Sequence, residues 1–190
     1  MTTDDQQLDP RTRMVRSAAR LIRERGVHGV GMRQIAADAD GPRGSLQRYF
    51  PGGKNQVLTE AVDYSVANFD AGVSAAMAAP DLAAAIEALV GAWREALRRT
   101  DYTSGCPMAA LVVDASANDV LREHAALRLG GWCDRVAEVY GRFGYDPAAA
   151  RDEALLVVTA IEGAVLMGRA ARTTEALDLT ERMLTERATR

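Results

Sequence analysis

The chain has 190 residues, of which 48% are apolar, 26% are charged and 5% are aromatic. This length and composition are typical of a soluble globular protein of one or two domains, which excludes the disordered and fibrous classes. Alanine supplies 35 residues. Because alanine loses no side-chain entropy in a helix, the composition favours helices over sheets.

The net charge of −3 conceals an uneven distribution of charged residues. Residues 10–54 contain nine arginines and Lys54 against three acidic residues, a local charge of +7, so the rest of the chain carries −10. A basic N-terminal part joined to an acidic body indicates that the basic part binds a polyanion.

The N-terminal residues and the cysteines indicate the cellular compartment in which the protein is expected. We expect the polar, acidic N-terminal residues not to be a signal peptide, and we expect the two cysteines to be free thiols in a reducing cytoplasm. The most apolar run, residues 154–168, has 15 residues. A helix that crosses a bilayer needs about 20, so we expect no membrane span.

The prolines divide the chain into predicted helices, because proline is tolerated in the first turn of a helix and breaks its interior. Between these breaks apolar residues recur at helical spacing, and no segment of more than four residues alternates as a strand does. The pattern predicts an all-α protein of nine helices, at residues 11–25, 32–39, 44–50, 54–77, 82–99, 107–115, 119–143, 147–171 and 174–187.

The first three predicted helices have the spacing of a helix-turn-helix, with Asp40 and Gly41 in the turn between the second and the third. Ile35, Leu46 and Phe50 would hold the third helix against the other two. The polar residues left on the third helix can contact base edges and phosphates, as the residues of a major-groove helix do; they are Ser45, Gln47, Arg48 and Tyr49, with Arg43 just ahead.

The stretch MRQIAADADGPRGSLQRYFPGGKNQVLTEAV resembles the N-terminal signature of the TetR family of bacterial transcriptional repressors, and RGSL…YF…GK is its most specific part. The resemblance covers residues 11–62. The helical remainder is similar to the family's ligand-binding and dimerisation domain in length and pattern. The segment GCPMAAL, at residues 105–111, is similar to one in the LmrA/YxaF-like branch.

The resemblance implies a helix-turn-helix DNA-binding domain at residues 10–54 and a helical ligand-binding and dimerisation domain at 55–190, after a disordered tail at 1–9. Lys54 would contact a phosphate at the start of the fourth helix, where a helix N-terminus already attracts anions. The predicted DNA-binding residues are Arg33, Arg43, Gly44, Ser45, Gln47, Arg48, Tyr49 and Lys54. Three positions depart from the family pattern: Gly31 replaces a Thr or Ser cap, Gly41 an apolar turn residue, and Gln47 a Tyr.

The acidic body has two predicted tasks, of which the first is to hold a small molecule. Drug-sized ligands occupy mostly apolar pockets with a few polar groups. The candidate ligand-binding residues are Trp93, Met108, Leu111, Trp132, Leu156, Thr159 and Glu162. Glu162 stands out because an unpaired buried carboxylate is costly. The alternatives are that Glu162 pairs with Arg169 or a partner chain, and that the Trp and Met residues belong to the core.

The second predicted task is dimerisation, because a two-fold dimer reads two operator half-sites. Residues 154–168 are apolar almost all round and must be buried on more than one side. With a face of the last helix made of Leu177, Thr180, Met183 and Leu184, they would form a four-helix interface between two copies. The alternative is that both helices fill the core of one copy.

These features predict a cytoplasmic, homodimeric transcriptional regulator, a repressor, that binds a palindromic DNA operator and is released by a small molecule. It is expected to have no catalytic residue, cofactor, metal or membrane partner, because two histidines and no phosphate-binding glycine loop offer little for catalysis. Two alternatives stay open. One is a redox-sensing regulator that acts through the Cys106 thiol at a helix N-terminus. The other is a helical small-molecule carrier or enzyme that does not bind DNA.

Overall fold

A computed structural model of the protein describes residues 8–41, 46–114 and 118–189, and the side chains of residues 67–70 are outside that description. Within these ranges the chain forms nine helices and no strand, as predicted. The helices are α1 (Pro10–Arg25), α2 (Met32–Asp38), α3 (Leu46–Tyr49), α4 (Gly53–Ala78), α5 (Leu82–Arg99), α6 (Pro107–Asp114), α7 (Asp119–Arg142), α8 (Pro147–Ala171) and α9 (Glu175–Ala188). Of the predicted tail at 1–9, only Leu8 and Asp9 lie among the described residues.

Aspartates start three of these helices. Asp9 and Asp146 each accept hydrogen bonds from two backbone amides of the first turn that follows and Asp81 accepts one, and proline occupies the first position of α1 and α8. A carboxylate at this position satisfies amides that have no partner inside the helix and lies at the positive end of the helix dipole. The caps therefore explain why the predicted helix starts agree closely with the observed ones.

The chain divides into two compact units. Unit 1 consists of Met1–Val66 and Pro107–Ala126, and unit 2 of Ala67–Cys106 and Leu127–Arg190. In unit 1, α1 packs against α2 and α6. The largest side chains buried in its core are those of Met14, Leu21, Ile22, Ile35, Phe50, Leu58 and Leu111.

In unit 2, α9 packs against α5 and α8, and α5 packs against α8. Ile86, Leu97, Ile161 and Leu177 are fully buried there. Arg94 of α5 joins this packing electrostatically, since its guanidinium lies 2.7 Å from both Asp178 and Glu181 of α9. Arg94 is the least exposed member of the trio, and its two ion pairs join α5 to α9.

Helix α8 is, among the described residues, the one helix long and apolar enough to span a membrane by length and composition. The apolar run at residues 154–168 is part of this helix, which extends past the run at both ends and has 25 residues, as predicted for 147–171. One face of α8 is nonetheless a core face within unit 2, and its buried residues are Ala150, Ala154, Val157, Val158, Ile161, Ala164, Val165 and Gly168.

Candidate nucleic-acid interface and candidate ligand site

A network of polar side chains holds α2 on α1. The Asp38 carboxylate, at the end of α2, accepts a hydrogen bond from the Ser17 hydroxyl (2.6 Å) and a second one from the Arg20 guanidinium. Arg20 also pairs with Glu24 one turn further along α1, at 2.9 Å. Burial by itself would raise the pKa of Asp38, but the bonds from Ser17 and Arg20 outweigh it and hold that pKa below its usual value. The ionised carboxylate therefore stabilises the α1–α2 packing.

The turn after α2 is clamped by an arginine that the sequence reasoning missed. Arg13 of α1 donates hydrogen bonds to the backbone carbonyls of Ala39 (3.1 Å), Asp40 (3.3 Å) and Leu8 (3.1 Å). Asp40 has a φ of +48°, a conformation that aspartate tolerates better than most residues. No local pattern marks Arg13, because its three acceptors are main-chain atoms.

Gly41, which departs from the family pattern, fits closely in the same turn. Its amide donates to the Ala36 carbonyl at 2.8 Å. A Cβ atom at this position would lie 2.3 Å from the end of the fully buried Met14 side chain. A larger residue would have to displace Met14, so glycine fills this turn without loosening it.

The end of α3 is anchored by Phe50, as predicted. Its ring is fully buried, and the Arg11 guanidinium lies over it, 5.1 Å from the ring centroid. Arg11 in turn pairs with Glu60 of α4 at 2.7 Å. Leu46, the other predicted anchor on α3, is half-buried. A helix of four residues has little stability of its own, so Phe50 supplies much of what holds α3 in place.

The predicted DNA-binding residues that the structure describes differ in exposure. Arg33, Gln47 and Arg48 are exposed, and Tyr49 is half-buried. Helix α3 has no buried residue, so its polar side chains are available to a partner. Arg43, Gly44 and Ser45 lie outside the described residues. Gly31 begins α2 without a side-chain cap.

Lys54 has a partner within the chain. It is half-buried in the first turn of α4, and its Nζ donates to the Val27 carbonyl at 3.1 Å. An ammonium group has three donors, so this bond leaves two N–H groups for a phosphate.

In unit 2 the strongest candidate for ligand recognition is Glu162. Although part of its side chain is accessible, Oε1 is buried and has no hydrogen-bond partner among the described residues. Burial raises the pKa of Glu162, and a hydrogen bond with the Cys106 thiol offsets part of that rise. Arg169, the proposed intrachain partner, instead donates to the Thr103 carbonyl at 3.0 Å.

The other predicted ligand-binding residues do not share one environment. Trp93 is buried and packs against the half-buried Trp132, with ring centroids 5.9 Å apart. Leu156 and Thr159 are exposed on α8. The remaining two, Met108 and Leu111, are buried on α6 in unit 1.

An exposed apolar face runs along α8 and α9. Its large residues are Leu155, Leu156, Leu166, Met167, Leu179 and Met183. A groove of about 570 Å³ lies between the two helices, and the ion pair of Glu153 and Arg187 (2.6 Å) contributes to its wall. Leu177 and Leu184, which the predicted dimer face included, are instead buried within the protomer.

The described residues contain neither a candidate metal cluster nor a disulfide. No group of three or more His, Cys, Asp or Glu residues there could hold a metal ion. Cys106 and Cys133 form no disulfide.

Comparison with known proteins identifies both parts of the chain. Residues 15–61 match the family model of bacterial regulatory proteins of the tetR family, and residues 83–183 match that of the transcriptional regulator LmrA/YxaF-like C-terminal domain. The chain is 38% identical over 182 residues to the uncharacterized HTH-type transcriptional regulator Rv0196 of Mycobacterium tuberculosis, which covers 92% of each protein. It is 28% identical over 166 residues to the HTH-type transcriptional regulator LmrA of Bacillus subtilis, covering 86% of this chain and 88% of LmrA.

Solved structures agree on the fold. A TetR transcriptional regulator from Chloroflexus aurantiacus superposes with a TM-score of 0.79 at 22% identity, covering 100% of this chain and 98% of the other. The regulatory protein TetR from Rhodobacter sphaeroides does so with a TM-score of 0.81 at 21% identity, covering 92% and 96%. The chain belongs to the TetR family of transcriptional regulators, with a C-terminal domain of the LmrA/YxaF-like type, and is a helix-turn-helix DNA-binding protein rather than an enzyme.

Proposed function

We propose that this regulator is a cytoplasmic repressor that binds a palindromic operator as a homodimer and is released by a small molecule. The observation that carries the proposal is that one chain has two exposed surfaces suited to binding. One is the polar surface of α3, and the other is the apolar face of α8 and α9.

The apolar face supports dimerisation through the two C-terminal helices. Six large apolar side chains exposed on two adjacent helices form more than the scattered apolar exposure of an ordinary monomer surface. A second copy placed on this face would cover its own equivalent face, because a two-fold interface pairs the same patch from both subunits. The groove between α8 and α9 would then receive side chains of the partner.

The surface of α3 supports reading of the DNA major groove. Gln47 can form two hydrogen bonds with adenine and Arg48 can bind guanine or a phosphate. Arg33, at the start of α2, would contact the backbone of the duplex. The predicted contacts of Arg43, Gly44, Ser45, Tyr49 and Lys54 complete the proposal.

Glu162 supports a role for a small-molecule effector in unit 2. Its unpartnered oxygen would gain a hydrogen bond from a ligand, and the nearby thiol of Cys106 already binds the same carboxylate. An effector releases DNA only as far as it binds the released conformation more tightly than the DNA-bound one. The redox alternative gains no support from this arrangement, because reactive thiols lie in exposed, electropositive surroundings and Cys106 is buried beside a carboxylate.

Selection of bound duplexes from a random library tests the proposal, combined with measurement of molar mass by light scattering. We expect a palindromic sequence to be enriched and the protein to have twice the mass of one chain. Arg48→Ala should weaken binding to the selected duplex, whereas Arg122→Ala, which removes an exposed arginine paired with Asp119 on α7, should not. A protein that stays monomeric, or a selection that enriches no palindrome, would contradict the proposal.

A further inference from the structure

The backbone of Val27, in the connection between α1 and α2, is held by hydrogen bonds at both its amide and its carbonyl. Its amide donates to the Asp114 carboxylate at 2.5 Å, and the neighbouring amide of His28 donates to the same oxygen at 3.4 Å. Its carbonyl accepts the hydrogen bond from Lys54 at 3.1 Å. Asp114 is the last residue of α6 and Lys54 belongs to the first turn of α4. One residue thus connects α1 and α2 to two other helices of unit 1.

Gly26 makes the approach of Asp114 possible. Its φ is +72°, which favours glycine, and a Cβ atom there would lie 2.4 Å from the Asp114 carboxylate oxygen. The backbone conformation and the space beside it therefore both require the same residue. An acidic group at the C-terminal end of a helix such as α1 is electrostatically unfavourable. The hydrogen bonds that the Asp114 carboxylate accepts from the amides of Val27 and His28 compensate for that position.

The connection that follows is short and is anchored by two buried side chains. Val27 and Val30 are buried, and α2 begins two residues after Val30. A short connection anchored by these two side chains transmits a shift at Val27 to the start of α2. Helix α2 in turn carries the turn that leads to α3.

We propose that Asp114 is a positioning residue for the DNA-binding helices. It holds the Val27 amide while Lys54 holds the Val27 carbonyl, and Asp114 thereby fixes where α2 starts. Asp114 touches no DNA in this proposal and acts through the backbone. The inference rests on the proposed function because one of its two tests measures DNA affinity.

Hydrogen exchange of the intact protein tests the clamp without DNA. Asp114→Ala should make the amides of Val27, His28 and α2 exchange about ten-fold faster or more, the factor expected when a bond to a charged acceptor is lost. The amides of α5, α8 and α9 should be unchanged. Asp114→Asn keeps an acceptor oxygen of the same size and should restore most of the protection. Gly26→Ala should reproduce the local effect of Asp114→Ala by pushing the carboxylate away.

DNA affinity separates positioning from contact. On the duplex selected with the parent protein, Asp114→Ala should bind several-fold more weakly with the same dependence of affinity on salt. Loss of one phosphate contact would instead reduce the slope of log K against log salt by about 0.9. The proposal would be overturned by a changed salt slope or by unchanged exchange at Val27 and α2. It would equally be overturned by faster exchange spread evenly over all helices, or by faster local exchange with unchanged DNA affinity. If the parent bound no duplex, the proposed function would fail while the exchange experiment still decided whether Asp114 holds Val27.

Discussion

Replacement of Glu162 by methionine should stabilise the protein in the absence of a ligand. The substitution removes a buried oxygen that has no hydrogen-bond partner among the described residues, and an unsatisfied buried group costs about 1–3 kcal/mol. It also removes the bond with the Cys106 thiol, worth about 0.5–1.5 kcal/mol. Methionine has a similar length and adapts to irregular space. The net gain is about 1 kcal/mol, or roughly 2–4 °C in Tm for a chain of this size.

The gain should depend on pH in a defined direction. Burial raises the pKa of Glu162 in the folded protein above its ordinary value of 4.5. As pH rises through 4.5, the unfolded chain therefore releases this proton before the folded protein does. Stability of the parent falls across that window, up to the pKa in the folded state. The stabilisation by Glu162→Met should be smallest near pH 4 and largest near pH 7.

Thermal unfolding followed by circular dichroism at pH 4 and pH 7 measures both effects. Glu87→Met is the matched control, because Glu87 is exposed on α5 and surface substitutions usually change stability by less than about 0.5 kcal/mol. A Glu162→Met protein that is less stable than the parent at pH 7 would refute the reasoning. That result would mean that Glu162 is satisfied in solution by a partner, such as a second copy.

Three further changes test other parts of the structure. Phe50→Ala should lower the free energy of unfolding by about 3–5 kcal/mol in a denaturant titration and abolish operator binding; an unchanged midpoint would show that α3 is anchored elsewhere. Leu166→Asp, on the exposed face of α8, should halve the molar mass by light scattering without loss of helicity, and a mass still that of two chains would place the interface elsewhere. Asp38→Asn should remove stability that the parent has above pH 3.8 and loses as pH falls through the lowered pKa of Asp38. The difference between the Asn variant and the parent should shrink below that pH in acid titrations, and a constant difference would argue against an ionised Asp38.

The helices could be predicted because their signals are local. Proline at the first position and a glycine such as Gly26 at the end lie within a few residues of the boundary they determine, and the structure shows an aspartate cap at the same helix starts. The helix-turn-helix followed from the same signals and from the spacing of Ile35 and Phe50, which are both fully buried.

The contacts that hold the candidate interface together could not be predicted in this way. Asp114 lies 87 residues from Val27 along the chain, and no periodicity links an acidic residue at the end of one helix to a main-chain amide after another. Arg13 was equally hidden, because its acceptors are carbonyls that every residue has. The exposure of Leu156 and Thr159 has a different cause: a helix that is apolar on several sides does not reveal from its sequence which side faces the core of its own chain.

Unit 1 is built from two separate segments of the chain, and this affects how it folds during translation. Because α6 packs on α1 and supplies the acceptor for the Val27 amide, the N-terminal helices emerge from the ribosome well before their last structural partner has been translated. A nascent chain that ends before residue 107 lacks that partner altogether. We therefore expect an isolated fragment of residues 1–66 to be less rigid than the same helices in the complete protein, and truncations intended to capture the DNA-binding region should retain α6.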